Sequence, residues 1–141
     1  MGMDSLRPAS KSGFSLVELT IVVVVLGVLA TFAVPRFMRS VECSKAAEAY
    51  NYCENVAAGE AAYFARHGEF TGTLSDLNVS LNVPQYFTLA LPTSADWNTN
   101  WEIRLTRSGA SAGYGAYTVT FDQNGFNRAK STIPSELQRI D

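Results

Sequence analysis

The sequence predicts an α+β fold in which a long N-terminal helix, about residues 14–67, packs under a small antiparallel sheet of three or more strands. Three observations carry that expectation. Residues 14–34 form an almost unbroken apolar run, a helix-spaced apolar stripe follows as far as residue 64, and two later segments alternate apolar and polar residues at period two.

The apolar run comes first. From Leu19 to Pro35 there are 17 consecutive uncharged residues, and with Phe14 to Val17 the stretch makes a helix of about 33 Å at ~1.5 Å per residue, enough to cross a bilayer. Eleven side chains between Leu19 and Val34 are Leu, Ile, Val or Phe. At ~1.5–3 kcal/mol each, their full burial is worth roughly 15–30 kcal/mol as an upper bound, so this helix must lie in lipid or against other apolar helices. One carboxylate, Glu18, stands near its start. A charge in hydrocarbon costs about 2.5–3.5 kcal/mol, so Glu18 needs a partner. It also falls in the first turns, where the helix dipole favours a negative charge by ~0.3–1 kcal/mol.

An ordinary secretory signal carries its small-residue cleavage site after the apolar stretch. Here the small-residue junction, Gly13-Phe14, precedes it. Arg7 and Lys11 favour a cytoplasmic N-terminus, while Arg36 and Arg39 pull the other way. Pro35 lacks an N–H and disfavours helix at the residue before it, so it is expected to kink the helix or end the membrane segment.

The helical pattern resumes over residues 36–67, with Ala46, Tyr50, Cys53, Ala57, Ala61 and Phe64 recurring every three or four residues as a stripe facing the sheet. Gly59 is its weakest point, at ~1 kcal/mol relative to Ala, and Gly68 is placed to end it as the residue past the C-cap. Glu69 to Leu77 has the character of a loop. Strands are expected at Tyr86–Leu91, Trp101–Arg107 and Tyr117–Phe121, with Trp101, Ile103, Leu105, Tyr117, Val119 and Phe121 on the inward face. Ser108 to Gly115 reads as a mobile hairpin loop and Asp122-Gln-Asn-Gly as a turn.

Composition narrows the function classes. With 141 residues and a formal charge of −2, or −3 once residues 1–13 are set aside (12 acids against 9 bases), the chain has no strongly basic nucleic-acid footprint. Tyr50, Tyr52, Tyr63, Phe64 and Phe70 therefore read as core rather than as a stacking surface, and no nucleic-acid partner is expected. His67 is the only imidazole, there is no nucleophile elbow or phosphate loop, and no cofactor or metal is expected. Asp122, Asn124 and Gly125 lack the repeated acids and closing Glu of a calcium loop and read as a turn. Asn78-Val-Ser is formally a glycosylation acceptor. Cys43 and Cys53 lie about 15 Å apart along one helix, too far to pair within it. Cys53 sits on the stripe as a small core residue, and Cys43 is open to cross-linking between subunits or to remaining a free thiol.

Lys11-Ser-Gly-Phe-Ser-Leu-Val-Glu-Leu-Thr-Ile, followed by the Val/Leu-rich run and Ala33-Val-Pro-Arg, resembles the N-terminus of a type IV prepilin. The resemblance is strong over residues 11–38 and fades after about Leu77. It implies a type IV pilin-like fold and a leader, residues 1–13, removed by a prepilin peptidase between Gly13 and Phe14. Phe14 would then be N-methylated, and Glu18 would meet the N-terminal amine of Phe14 on a neighbouring subunit. It further implies a hydrophobic transmembrane and polymerisation helix over 14–35, an amphipathic head helix over 36–67, and an αβ loop, sheet and C-terminal tail over 68–141. The implied partners are copies of the chain and other pilins in a filament, the prepilin peptidase, a pilus assembly platform, and the inner membrane that stores the precursor.

Such a subunit ends in an extracellular pilus, serving adhesion or twitching motility, or in a periplasmic pseudopilus of type II secretion. Many pilins close a C-terminal loop with a disulfide, whereas this chain has no cysteine after residue 53. Of the Asp-Pro-Trp-Gly-like stretch of major pseudopilins it keeps only Asp96-Trp97. A pilus subunit, a secretion pseudopilin and a signal-anchored enzyme or binding protein are the three readings that follow, the first being preferred.

Overall fold

A computed structural model describes residues 13–138. Residues 1–12, which hold most of the expected leader, and the last three residues of the C-terminal tail lie outside the described residues. The chain divides between Arg36 and Phe37 into two units.

Helix α1 runs Leu16–His67, 52 residues, and is long and apolar enough to cross a membrane. In the first unit its large apolar side chains, from Leu16 through Val34, are exposed, as is Phe14 before it. Thr20 and Thr31 return their hydroxyls to the carbonyls of Val17 and Val28 at 2.8 and 2.5 Å, so neither brings an unsatisfied polar group to that surface. Pro35 lies inside α1 and does not terminate it. A proline deletes a single N–H from the ladder, and the bonds on either side carry the helix past it.

In the second unit α1 turns amphipathic. Ala46, Tyr50 and Cys53 are buried as expected, but the stripe then shifts: Val56, Gly59 and Glu60 are buried, Ala57 is half-buried, and Ala61 and Phe64 are exposed. The αβ loop is the cause. It carries a short 3₁₀ helix, Leu74–Leu77, that presses on α1 so closely that a Cβ on Gly59 would sit 2.9 Å from Leu77 Cβ. The glycine thus admits the loop, an advantage that outweighs its poor helix propensity. Gly68, at φ +79°, ends α1 by donating its N–H to Phe64 O at 2.8 Å.

Four antiparallel strands follow in the order β1 (Phe87–Leu89), β2 (Glu102–Arg107), β3 (Thr118–Asp122), β4 (Gly125–Phe126). Their register sets Leu89 opposite Leu105 and Leu105 opposite Val119. All six residues expected on the inward face are buried, in one core with Tyr50, Cys53 and Val56 of α1. The pleat explains this, because alternate residues of a strand meet the same surface. The Asp122 to Gly125 turn forms with Gly125 at φ +98° and folds back as β4, two residues too short to signal itself in the sequence. Past it, the outer edge of β3 is covered by hydroxyls: Ser131 Oγ and Thr132 Oγ1 each accept an N–H, from Thr120 and Thr118, at 2.9 Å.

Glu60 joins helix to loop. It is fully buried, its Oε2 accepts the Thr71 N–H at 3.0 Å, and its Oε1 has no hydrogen-bond partner among the described residues. Burial pushes this carboxyl above its ordinary range, against the pull of the Thr71 N–H. A raised folded-state value means the stability the group contributes is full below its ordinary range, near 4.5, and is lost as pH rises through the raised value. Glu60→Gln is therefore expected to abolish that fall, gaining on the wild type by ~1–3 kcal/mol between acidic and neutral pH. Urea titrations at pH 4 and pH 7.5 check this, and parallel behaviour of the two proteins would refute it.

Candidate functional site

The N-terminal site is assembled by one turn of helix. Gly13 and Phe14 precede α1, and a Cβ on Gly13 would meet nothing within 4 Å among the described residues. Ser15 acts as N-cap: its Oγ accepts the Val17 N–H at 3.3 Å, while Glu18 Oε2 reaches back to accept the Ser15 N–H at 2.9 Å. This reciprocal arrangement is a capping box, satisfying two of the backbone donors that a helix start leaves over. Glu18 thus has a partner within its own chain. The Ser-x-x-Glu spacing at 15 and 18 is a helix-start signal present in the sequence, and it accounts for this local partner of Glu18.

The other sequence-derived candidates are dispersed. Cys53 is fully buried in the core, with its thiol pushed up by burial and by Glu54, which keeps it unreactive. Cys43 is half-buried, its sulfur 3.8 Å from Glu136 O, and both cysteines are free thiols. His67 stacks on Tyr63 at 4.2 Å between ring centroids. Asn78 is exposed and ends the 3₁₀ helix at φ +50°.

Asp96 is committed to its own turn, accepting Asn98 N–H and Nδ2–H at 3.0 and 2.9 Å, bonds that hold its carboxyl below the usual range. The neighbouring Trp97 ring closes over Gly72. Asp122 is committed as well, to Asn124 N–H at 2.8 Å and Asn127 Nδ2–H at 2.6 Å. Among the described residues no group of three or more His, Cys, Asp or Glu is placed to hold a metal.

A polar centre that sequence reasoning missed lies between α1 and the sheet. Glu42 and Arg107, 1% and 2% exposed, form a two-pronged ion pair with Nε–Oε1 at 2.6 Å and Nη2–Oε2 at 3.1 Å. Tyr117 donates its hydroxyl to Glu42 Oε1 at 2.9 Å. Burial alone would push Glu42 up, but the hydrogen bonds from Arg107 and Tyr117 and the Arg107 charge outweigh it and hold the carboxyl below its usual range.

The remaining guanidinium protons go to carbonyls of Tyr86, Ser108 and Ala110. The loop between β2 and β3, expected to be mobile, is in this way fastened at its start. A signal existed: Arg107 falls in the inward phase set by Trp101, Ile103 and Leu105, where a charge must find a buried partner.

Together these features define a class: an α+β protein whose membrane-competent helix, capped by Ser15 and Glu18, continues into a small antiparallel head. Residues 8–34 match the prokaryotic N-terminal methylation motif, so the chain carries the prepilin-type signature of type IV pilins and pseudopilins. No curated protein matches the chain.

Proposed function

We propose that this chain is a pilin, a structural subunit of a type IV pilus-like filament. The observation that carries the reading is the exposed apolar stretch of α1 from Leu16 to Val34, which bears one carboxylate, Glu18, in its capped first turn and lies within the methylation motif of residues 8–34. In this reading the precursor waits in the inner membrane, and a prepilin peptidase cuts between Gly13 and Phe14, where a residue without Cβ lets a protease approach the backbone. The new Phe14 amine is N-methylated, and the subunit leaves lipid for a bundle of like helices through an assembly platform.

Lipid tails are as apolar as the bundle, so the transfer gains little hydrophobic energy. It draws on packing, on pairing of Glu18 with a neighbour's Phe14 amine, and on outside work. A head-to-tail contact of this kind does not close and yields an open helical fibre. In this reading half-buried Cys43 is the thiol that would cross-link subunits, and the full burial of Cys53 argues against its doing so.

The test is mass spectrometry of the mature protein together with imaging of fibres sheared from cells. A chain beginning at singly methylated Phe14 and present in surface fibres is expected. A mature chain beginning elsewhere would end this reading, and a correctly processed chain that is absent from surface fibres and whose deletion blocks secretion would move it to a secretion pseudopilin.

A further inference from the structure

Glu48, Asn51, Tyr52 and Asn55 recur along α1 at offsets of three, four and seven residues, which places them on one side of the helix. The segment 82–85, which leads through a turn at residues 85–86 into β1, passes beside them, and the two walls bound a cleft of about 400 Å³. That volume falls within the ~300–1,000 Å³ of small-molecule sites. Asn82 and Gln85 add two carboxamides to the two from α1.

None of the four carboxamides hydrogen-bonds to another described residue, and each offers two donors and an acceptor oxygen. Tyr52 also lines the cleft. It is 2% exposed, yet its hydroxyl has no partner among the described residues. A phenol with no partner inside the protein can donate to a bound group, whereas that of buried Tyr117 is committed to Glu42. Burial, and secondarily Cys53, pushes the Tyr52 phenol up, so it remains a donor.

The set of groups selects a ligand class. Anionic ligands need a fixed positive charge, and no Lys, Arg or His is among the residues that line the cleft, whose single acidic side chain is Glu48. Peptides in extended form recruit a row of backbone groups along a sheet edge, whereas one wall here is helix and presents side chains. Carboxamides and a phenol spread around a concave surface complement a ring of hydroxyls, each of which donates and accepts.

We infer that this cleft binds a neutral saccharide of about one or two rings, with Asn51, Asn55, Asn82 and Gln85 pairing its hydroxyls, Tyr52 donating from the floor, and Glu48 accepting from an adjacent pair. The inference goes beyond the reading of the chain as a filament subunit and does not rest on it.

The test is saturation-transfer NMR on the full mature chain in a zwitterionic detergent without a sugar headgroup, using glucose, galactose, N-acetylglucosamine, lactose and maltose as probes. An anionic sialylated trisaccharide and a capped tetra-alanine peptide serve as comparators. Saturable transfer to at least one neutral sugar is expected. The exposed pair Asn51→Ala with Asn55→Ala, which leaves the core untouched, should weaken it at least tenfold, and Tyr52→Phe, which removes only the hydroxyl, about tenfold. Failure of every neutral sugar to saturate, transfer to the anionic sugar or the peptide alone, or undiminished binding by the folded double variant would each overturn the proposal.

Discussion

Glu42→Ala and Arg107→Ala are each expected to destabilise the head by about 3–5 kcal/mol, because either change leaves the opposite charge buried without its counterion. The two should not be equal. Glu42→Ala strands the guanidinium, although its bonds to Tyr86, Ser108 and Ala110 carbonyls remain. Arg107→Ala strands Glu42 with Tyr117 and Lys45, the latter 3.7 Å away, and also releases the loop. Arg107→Met is the informative intermediate. It keeps apolar volume and loses the carbonyl bonds, so pairing it with Glu42→Leu should recover part of the stability while the 108–115 loop stays loose.

The surface cluster of Lys130, Glu102 and Arg104 supplies the control. Lys130→Ala should change stability by no more than ~1 kcal/mol, since exposed pairs are screened and flexible. Urea titration of the full chain in detergent, followed by the fluorescence of buried Trp101, measures all of these. Losses below 1 kcal/mol for both single variants of the buried pair would show that it adds little.

Glu18→Ala is expected to abolish filaments or cut their yield more than tenfold while leaving the head folded. Two effects are lost together, and their sizes differ. The capping box contributes ~1 kcal/mol to the start of one helix. Pairing with a neighbour's amine at about 4 Å and an effective dielectric near 20 is worth up to ~4 kcal/mol before desolvation, close to a thousandfold in assembly.

Glu18→Gln separates them. A glutamine oxygen can still accept the Ser15 N–H, so a purely capping role predicts normal filaments from Glu18→Gln, and a pairing role predicts the same loss as Glu18→Ala. Ser15→Ala weakens the cap from the other side and should cost ~1 kcal/mol of helix stability with filaments retained. Normal yield and length from Glu18→Ala would sink the pairing altogether, and electron microscopy of sheared fibres decides it.

The parts of this protein legible in its sequence are those governed by near neighbours in the chain. A run such as Leu19 to Val34 can only be apolar on every side, Gly68 can only end a helix that has reached it, and the alternation through Trp101, Ile103 and Leu105 states which face of a strand is inward. The processing motif is equally local, since a peptidase reads contiguous residues. What the folded head alone reveals depends on residues far apart in number. Glu42 and Arg107 are 65 positions apart, and no periodicity in either segment names the other. Gly59 looks like a weakness until Leu77 is set against it, and Tyr52 looks like ordinary core until it is found lining a cleft with segment 82–85. A pattern along the chain records burial, which each residue expresses alone; a partner is a property of two residues, and only packing brings the second one into reach.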